Sequence, residues 1–104
     1  MDTKAPPVHR VALVTGAARG IGRATVDILY GQGYSVVAVD SCAGEGPNRP
    51  AGVGYPLATP EELSSLELAY PGRVVTAMTD VRDVEAMGRA ALLAVDRFGR
   101  LDAA

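Results

Sequence analysis

The sequence has very few of the residues that most often bind metals or form cross-links. It contains one cysteine, Cys42, which excludes an internal disulfide, and one histidine, His9, which leaves too few imidazoles for a histidine-based metal site. Tryptophan is absent, and Lys4 is the single lysine. Since a lone cysteine fits a reducing compartment, we expect a cytoplasmic protein with no metal centre.

Charge and hydropathy also lack any extreme. The formal net charge is −2, and both signs are spread along the chain, so neither nucleic acid nor an anionic membrane is an expected partner. No apolar run approaches the roughly 20 residues that a membrane-spanning helix needs. The start, MDTKAPPVHR, has no apolar stretch of the kind found in signal peptides, and residues 1–7 are predicted to form a disordered leader.

The sequence does contain a regular alternation of strand-like and helix-like segments. With 104 residues, 48% of them apolar, the chain is long enough for one small domain, which we place at residues 8–104. Residues 101–104 are predicted to enter a fourth strand. The other predicted elements are strands at 10–15, 34–39 and 73–78 and helices at 20–30, 60–70 and 83–98.

This alternation is typical of an α/β protein with a doubly wound parallel sheet of the Rossmann type. Right-handed crossovers give the strand order 3-2-1, with the fourth strand on the outer side of strand 1. Three βα units and the start of a fourth strand predict a truncated form of that fold, whose open strand edge favours weak stability or association. Residues 41–60, rich in glycine and proline, are predicted to be a loop insertion that ends in Thr59, an N-cap whose capping box is completed by Glu62.

The faces of the other two helices follow from hydrophobic spacing. The first helix is expected to bury Ile21, Ala24 and Ile28 and to end with Gly31 in a left-handed conformation. In the third helix, the predicted apolar face consists of Val84, Met87, Ala91 and Val95.

A glycine-rich turn follows the first strand, in the stretch VALVTGAARGIG. Gly16, Gly20 and Gly22 leave the backbone free of side chains where the first helix begins. The unpaired N–H groups and the dipole of a helix N-terminus favour an anion. The turn therefore predicts a site for the pyrophosphate of a dinucleotide.

Two acidic residues follow the next two strands. Asp40, 18 residues after Gly22, is placed to accept hydrogen bonds from the ribose hydroxyls, and its charge would repel a 2′-phosphate, so NAD is favoured over NADP. Arg19 weakly favours NADP instead, because a basic residue near the turn could contact that phosphate. Asp80 is a candidate contact for the adenine amino group, although it could instead cap the third helix.

The stretch TGAARGIG resembles the TGxxxGxG turn of the short-chain dehydrogenase/reductase family. Asp40, the Asp80-Val81 pair and FGRLD at 98–102 stand where that family has its ribose carboxylate, its adenine contact and the entry to its fourth strand. The segment VGYPLATPEEL is similar to one found in the mycofactocin-coupled dehydrogenases of actinobacteria. The candidate cofactor-binding residues are Gly16, Ala18, Arg19, Gly20, Ile21, Gly22, Asp40, Ser41, Asp80 and Val81.

The resemblance implies hydride transfer between NAD and a small-molecule secondary alcohol or ketone. In the mycofactocin-coupled group it further implies a tightly held NAD and a separate redox carrier, mycofactocin, as partner. Members of the family are commonly homo-oligomers, often tetramers, when complete.

The family's catalytic Tyr-x-x-x-Lys pair is absent from these 104 residues, because no lysine follows any tyrosine at that spacing. We therefore assign no catalytic residue and expect the chain by itself to be inactive. Two alternatives remain open: a non-catalytic NAD-binding module and an inactive gene remnant.

Overall fold

The computed structural model describes residues 9–42 and 58–104. The predicted leader at 1–7 and residues 43–57 of the predicted insertion lie outside this range. In the described residues, helices and strands alternate as the sequence predicts. The elements are β1 (Val11–Thr15), α1 (Gly20–Gly31), β2 (Ser35–Asp40), α2 (Pro60–Ala69), β3 (Val74–Met78) and α3 (Val84–Phe98).

The three strands form one parallel sheet in the order β1-β2-β3. Thr15 pairs with Val39, and Asp40 pairs with Met78, so the carboxyl ends of the strands lie at one edge of the sheet. On the outer side of β1, Ala12 forms a parallel bridge with Ala103. The predicted strand order and the predicted entry to a fourth strand beside β1 are both confirmed.

Helices cover both faces of this sheet. Alternate residues of β2 point to opposite sides, as the pleat requires: Val36 and Ala38 belong to a core cluster with residues of α1 and α2, whereas Val37 and Val39 belong to a second cluster with α3. All of β2 up to Val39 is buried, as expected of a central parallel strand. The predicted doubly wound α/β architecture is confirmed.

The predicted buried face of α1 is wrong. Ile21 and Ile28 are 88% and 60% exposed, and Val26 is the buried residue of the helix. Val26 and Leu29 pack into the core cluster, and Gly22, one turn before Val26 on the same side of the helix, lies against Gly16 and Ala17 of the preceding turn. The close approach of Gly22 to the preceding turn determines which side of α1 is buried. A prediction from the spacing of hydrophobic residues misses this contact, because glycine is not hydrophobic.

The end of α1 and the face of α3 also differ from the prediction. Gly31 is the last helical residue, and Gly33, not Gly31, has the positive φ, at +93°. In α3 the two fully buried residues are Ala90 and Ala94, while Val84 and Val95 are 81% and 48% exposed. The small alanine side chains allow α3 to lie close to the sheet. The buried side of α3 therefore differs from the face predicted from hydropathy.

The start of α2 is formed as predicted. The Thr59 side chain accepts a hydrogen bond from Glu62 N, and the Glu62 carboxylate accepts one from Thr59 N at 3.0 Å, which completes a capping box. Leu63 and Leu66 then pack into the core. No helix in the two described ranges combines the length and apolar content needed to cross a membrane.

Candidate functional site

The glycine turn lies between the end of β1 and the first turn of α1. Gly16 and Gly20 have φ of +62° and +59°, in the left-handed region that side chains disfavour. Gly22 is required for a different reason: a Cβ there would lie 2.6 Å from the carbonyl carbon of Gly16 and 3.1 Å from Ala17 Cα. The three glycines therefore allow a tight turn that folds back directly onto α1.

The N-terminus of α1 is open at this turn. Arg19 is the N-cap residue, and it makes no side-chain capping bond. The backbone ladder begins with Arg23 N–H, which donates to the Arg19 carbonyl at 3.2 Å. The N–H groups of Gly20, Ile21 and Gly22 precede that bond, and no acidic side chain occupies the first turn. This helix end has the donors and the dipole that bind an anion.

Asp40, at the end of β2, is hydrogen-bonded to the turn. Its Oδ2 accepts from Ala18 N at 3.2 Å and its Oδ1 accepts from Cys42 N at 2.9 Å. A second bond joins the same two segments, from Ala17 N to the Val39 carbonyl at 3.0 Å. Asp40 is half-buried, so part of the residue remains accessible.

Asp80 forms an exposed ion pair with Arg82. Its carboxylate accepts from Arg82 Nη2 at 2.6 Å and from Arg82 N at 2.9 Å. These hydrogen bonds hold the pKa of Asp80 at about 2. The alternative role predicted for Asp80, as cap of α3, is wrong, because Asp83 is the N-cap and accepts from Ala86 N at 3.0 Å.

Eight of the ten predicted cofactor-binding residues line two cavities that meet at the turn, whereas Ala18 and Gly20 line neither of the two. A cleft of about 320 Å³ lies at the carboxyl ends of the strands. An open groove of about 1060 Å³ runs along the outer side of β1 and α1 and includes Arg19, Ile21 and Gly22. Thr15 and Gly16 line both cavities. The cleft is lined by Thr15, Gly16, Asp40, Ser41, Thr79, Asp80 and Val81.

Arg19 is held by a residue that the sequence does not connect to the turn. Its Nε donates to Glu62 Oε2 of α2 at 2.6 Å. This hydrogen bond is the main cause that lowers the pKa of Glu62. Nearby, Arg23 Nη1 donates to the Glu62 carbonyl at 3.2 Å and to Ser65 Oγ at 2.9 Å. The capping motif identifies Glu62, but an ion pair across 43 residues leaves no local signal.

Cys42 is a buried thiol beside the cleft. It is 7% exposed and has a positive φ of 55°, which is uncommon for a residue with a side chain. Burial, followed by the charges of Asp40, Glu62 and Glu61, raises its pKa to about 11. A thiol in this environment is unreactive. Within residues 9–42 and 58–104, no group of three or more His, Cys, Asp or Glu side chains could hold a metal ion.

Comparison with known proteins agrees with this geometry. Residues 10–103 match the family model of the short chain dehydrogenases. The chain belongs to the short-chain dehydrogenase family. It is 41% identical over 100 residues to an uncharacterized oxidoreductase of Mycobacterium tuberculosis, covering 93% of this chain and 35% of that protein. It is 40% identical over 96 residues to (−)-trans-carveol dehydrogenase of Rhodococcus erythropolis, covering 89% and 33%.

Solved structures of the family show the same fold. Carveol dehydrogenase from Mycobacterium avium in complex with NAD aligns with a TM-score of 0.74 and 40% identity, over 89% of this chain and 33% of that one. A short chain dehydrogenase from Mycobacterium paratuberculosis bound to NAD gives a TM-score of 0.76 at 36% identity, over 91% and 35%. The chain spans about a third of the length of the curated relatives that it matches.

Proposed function

We propose that this chain forms the NAD-binding part of an oxidoreductase that transfers a hydride between NAD and a secondary alcohol or ketone. The observation that carries the proposal is the pair of hydrogen bonds from Ala18 N and Cys42 N to the Asp40 carboxylate. They place an acidic side chain next to an open helix N-terminus, which is the arrangement that binds the ribose and the pyrophosphate of a dinucleotide.

The turn fits the pyrophosphate. Its backbone carries no side chain at Gly16, Gly20 or Gly22, so phosphate oxygens can approach the N–H groups of the first turn of α1. The glycine at position 22 keeps those N–H groups close to the end of β1, since any side chain there would collide with the turn. The positive end of the helix dipole adds attraction for the phosphate charge.

The cleft fits the adenosine. Each oxygen of Asp40 accepts one backbone hydrogen bond, and a carboxylate oxygen has about two acceptor sites, so both can still accept from ribose hydroxyls. The same negative charge opposes a 2′-phosphate, which favours NAD over NADP. Asp80 lines the cleft and, with a pKa of about 2, is ionised at neutral pH and can accept from an adenine amino group.

The described residues account for the pyrophosphate and the adenosine of the dinucleotide, which would lie at the turn and in the cleft. The groove runs along the outer edge of β1, where the fourth strand begins at Ala103, and we assign no ligand to it. When bound, NAD supplies the ring that accepts or donates the hydride. Residues of this chain bind and orient the cofactor; Tyr-x-x-x-Lys is absent from its sequence, so we propose no proton transfer by these residues.

A finer assignment, also proposed, is the mycofactocin-coupled branch of the family, in which NAD is held tightly and passes its hydride to a separate carrier. The support is the segment VGYPLATPEEL and the mycobacterial and rhodococcal sources of the relatives. The test is to purify the protein without added cofactor and then to denature it. Release of NAD in a 1:1 ratio supports this assignment, and its absence contradicts it.

The main proposal is tested by calorimetric titration of NAD into the wild-type chain, Asp40→Ala and Asp96→Ala. Asp40→Ala is expected to weaken NAD binding about tenfold or more, the contribution of a charged hydrogen bond. Asp96→Ala removes the same charge from an exposed position on α3 and is the matched control. Circular dichroism checks that each variant is folded. Equal NAD affinity in all three proteins, or no NAD binding by the wild type, contradicts the proposal.

A further inference from the structure

We infer that Glu62, which lies outside the residues lining the nucleotide cleft, strengthens the preference for NAD over NADP by holding the Arg19 guanidinium in an ion pair. This inference rests on the proposed function. It assigns to α2 a part in cofactor selection that the glycine turn and Asp40 do not account for.

Arg19 occupies a position where it could work against Asp40. It directly follows Ala18, whose N–H donates to the Asp40 carboxylate at 3.2 Å. Asp40 disfavours a 2′-phosphate, whereas an arginine beside the ribose accommodates one. Asp40 and Arg19 therefore have opposite effects on the binding of a 2′-phosphate. The position of the Arg19 side chain determines how strongly it attracts that phosphate.

Glu62 restrains that side chain. Its Oε2 accepts from Arg19 Nε at 2.6 Å. Its other oxygen, Oε1, accepts from Thr59 N at 3.0 Å and from Thr59 Oγ1 at 3.2 Å. The carboxylate is thus fixed by the helix cap, so the ion pair loses less side-chain entropy than a pair of mobile surface groups. The ion pair directs Arg19 toward α2 and offsets part of its positive charge, so the guanidinium attracts a phosphate less strongly than a free one would.

The helix that carries Glu62 is itself tied to α1. Arg23 Nη1 donates to the Glu62 carbonyl and to Ser65 Oγ at 3.2 and 2.9 Å. These bonds set the distance between the first turn of α2 and the glycine turn. Arg19 is consequently held toward α2 by a partner whose backbone and side chain are both fixed.

The charges of three carboxylates also meet near the end of β2. Burial is the main cause that raises the pKa of the Cys42 thiol, two residues after Asp40, and the charges of Asp40, Glu62 and Glu61 raise it further. A 2′-phosphate entering this region would meet their negative potential. Neutralising Glu62 would both weaken that potential and release the arginine, so the two effects act in the same direction.

The test measures the dissociation constants of NAD and NADP by calorimetry for the wild-type chain, Glu62→Gln and Glu61→Gln. Glutamine also serves at the third position of a capping box, so Glu62→Gln retains the cap while removing the charge. The ratio of the NADP to the NAD dissociation constant is expected to fall about fivefold in Glu62→Gln, the upper range for an exposed ion pair. Glu61→Gln removes an equal charge one residue away and is expected to change the ratio by less than about twofold.

Repeating the Glu62→Gln substitution in the Arg19→Gln variant separates the release of Arg19 from a general loss of negative charge. In Arg19→Gln, the further change Glu62→Gln is expected to lower the ratio by less than about twofold, because only the loss of the Glu62 charge itself remains. An unchanged ratio in Glu62→Gln, or the same change with and without Arg19, overturns the inference. If the wild type binds NAD and Asp40→Ala weakens it, such a result leaves the proposed function standing; if the wild type binds neither cofactor, both fail.

Discussion

The N–H of Ala18 donates to Oδ2 of Asp40 at 3.2 Å, which joins the turn after β1 to the end of β2. Together with the bond from Ala17 N to the Val39 carbonyl, this contact orders the turn before any ligand arrives. A preorganised turn pays little entropy when it binds phosphate. The residues that form the proposed cofactor site are therefore also residues that hold the fold together at this edge of the sheet.

We expect Gly22→Ala to destabilise the protein and to weaken NAD binding. The new methyl group would collide with the Gly16 carbonyl and displace α1 from the turn, and overpacking of this kind costs about 1–3 kcal/mol. Urea unfolding followed by circular dichroism measures the loss.

The control for this variant is Gly88→Ala, in the middle of α3. Nothing lies within 4 Å of a Cβ at that position. Alanine there is expected to stabilise the protein by about 0.5–1 kcal/mol through helix propensity. Equal effects of the two substitutions would contradict the close approach of α1 to the turn.

Removing the cap of α2 with Thr59→Ala is expected to lower the free energy of unfolding by about 1 kcal/mol. The hydroxyl that accepts from Glu62 N is lost, and the Glu62 carboxylate loses one of its two donors on Thr59. Thr59→Ser retains the hydroxyl and should recover most of the stability in the same unfolding experiment. A serine variant as unstable as the alanine variant would show that the methyl group, not the cap, is responsible.

The carboxyl group of Asp80 is expected to titrate at about pH 2, below its ordinary pKa of 3.8, in a carbon-detected NMR titration. Because the pKa is lower in the folded state, the ion pair stabilises the fold above pH 3.8, and this contribution is lost as the pH falls through about 2. In Arg82→Gln the midpoint should return toward the ordinary value, whereas Arg97→Gln, which changes an exposed arginine of α3, should leave it in place. An unmoved midpoint in Arg82→Gln would rule out the pair as the cause.

Alkylation of Cys42 by iodoacetamide is expected to be slow in the folded protein. Its pKa of about 11, against an ordinary 9.0, leaves roughly a hundredth of the usual thiolate at pH 8, and burial hinders the reagent further. Mass spectrometry should find rapid labelling only after unfolding in guanidinium chloride. Since Cys42 is the single cysteine, Cys42→Ser supplies a blank. Equal rates for the folded and unfolded chains would contradict the buried position.

The sequence predicted those features that depend on local chemistry. The glycine turn, the order of the elements and the capping box at Thr59 depend on contacts within a few residues, and each is where it was expected; the end of α1 differs, since Gly33 and not Gly31 has the positive φ. The faces of α1 and α3 were wrong because their contacts with the sheet depend on how closely the backbone can approach. Gly22, Ala90 and Ala94 permit that approach, yet their hydropathy is lower than that of Ile28 or Val95.

The contact between Arg19 and Glu62 could not be predicted from the sequence, because it depends on the packing of two separate helices. The two residues lie 43 positions apart on different helices, so only the packed fold brings them together. The ion pair of Asp80 is local but was also missed, because an aspartate before a helix can equally serve as its cap. Asp83, three residues later, takes that role.

The most direct test of the proposed cofactor site is an NMR titration of the isotope-labelled chain with NAD. We expect the largest amide shift changes at Gly20, Ile21 and Gly22, with further changes at Asp40 and Val81 in the cleft. The amides on the exposed side of α3, around Leu92, should stay in place. Shift changes confined to α3, with none at the start of α1, would contradict binding of NAD at the glycine turn.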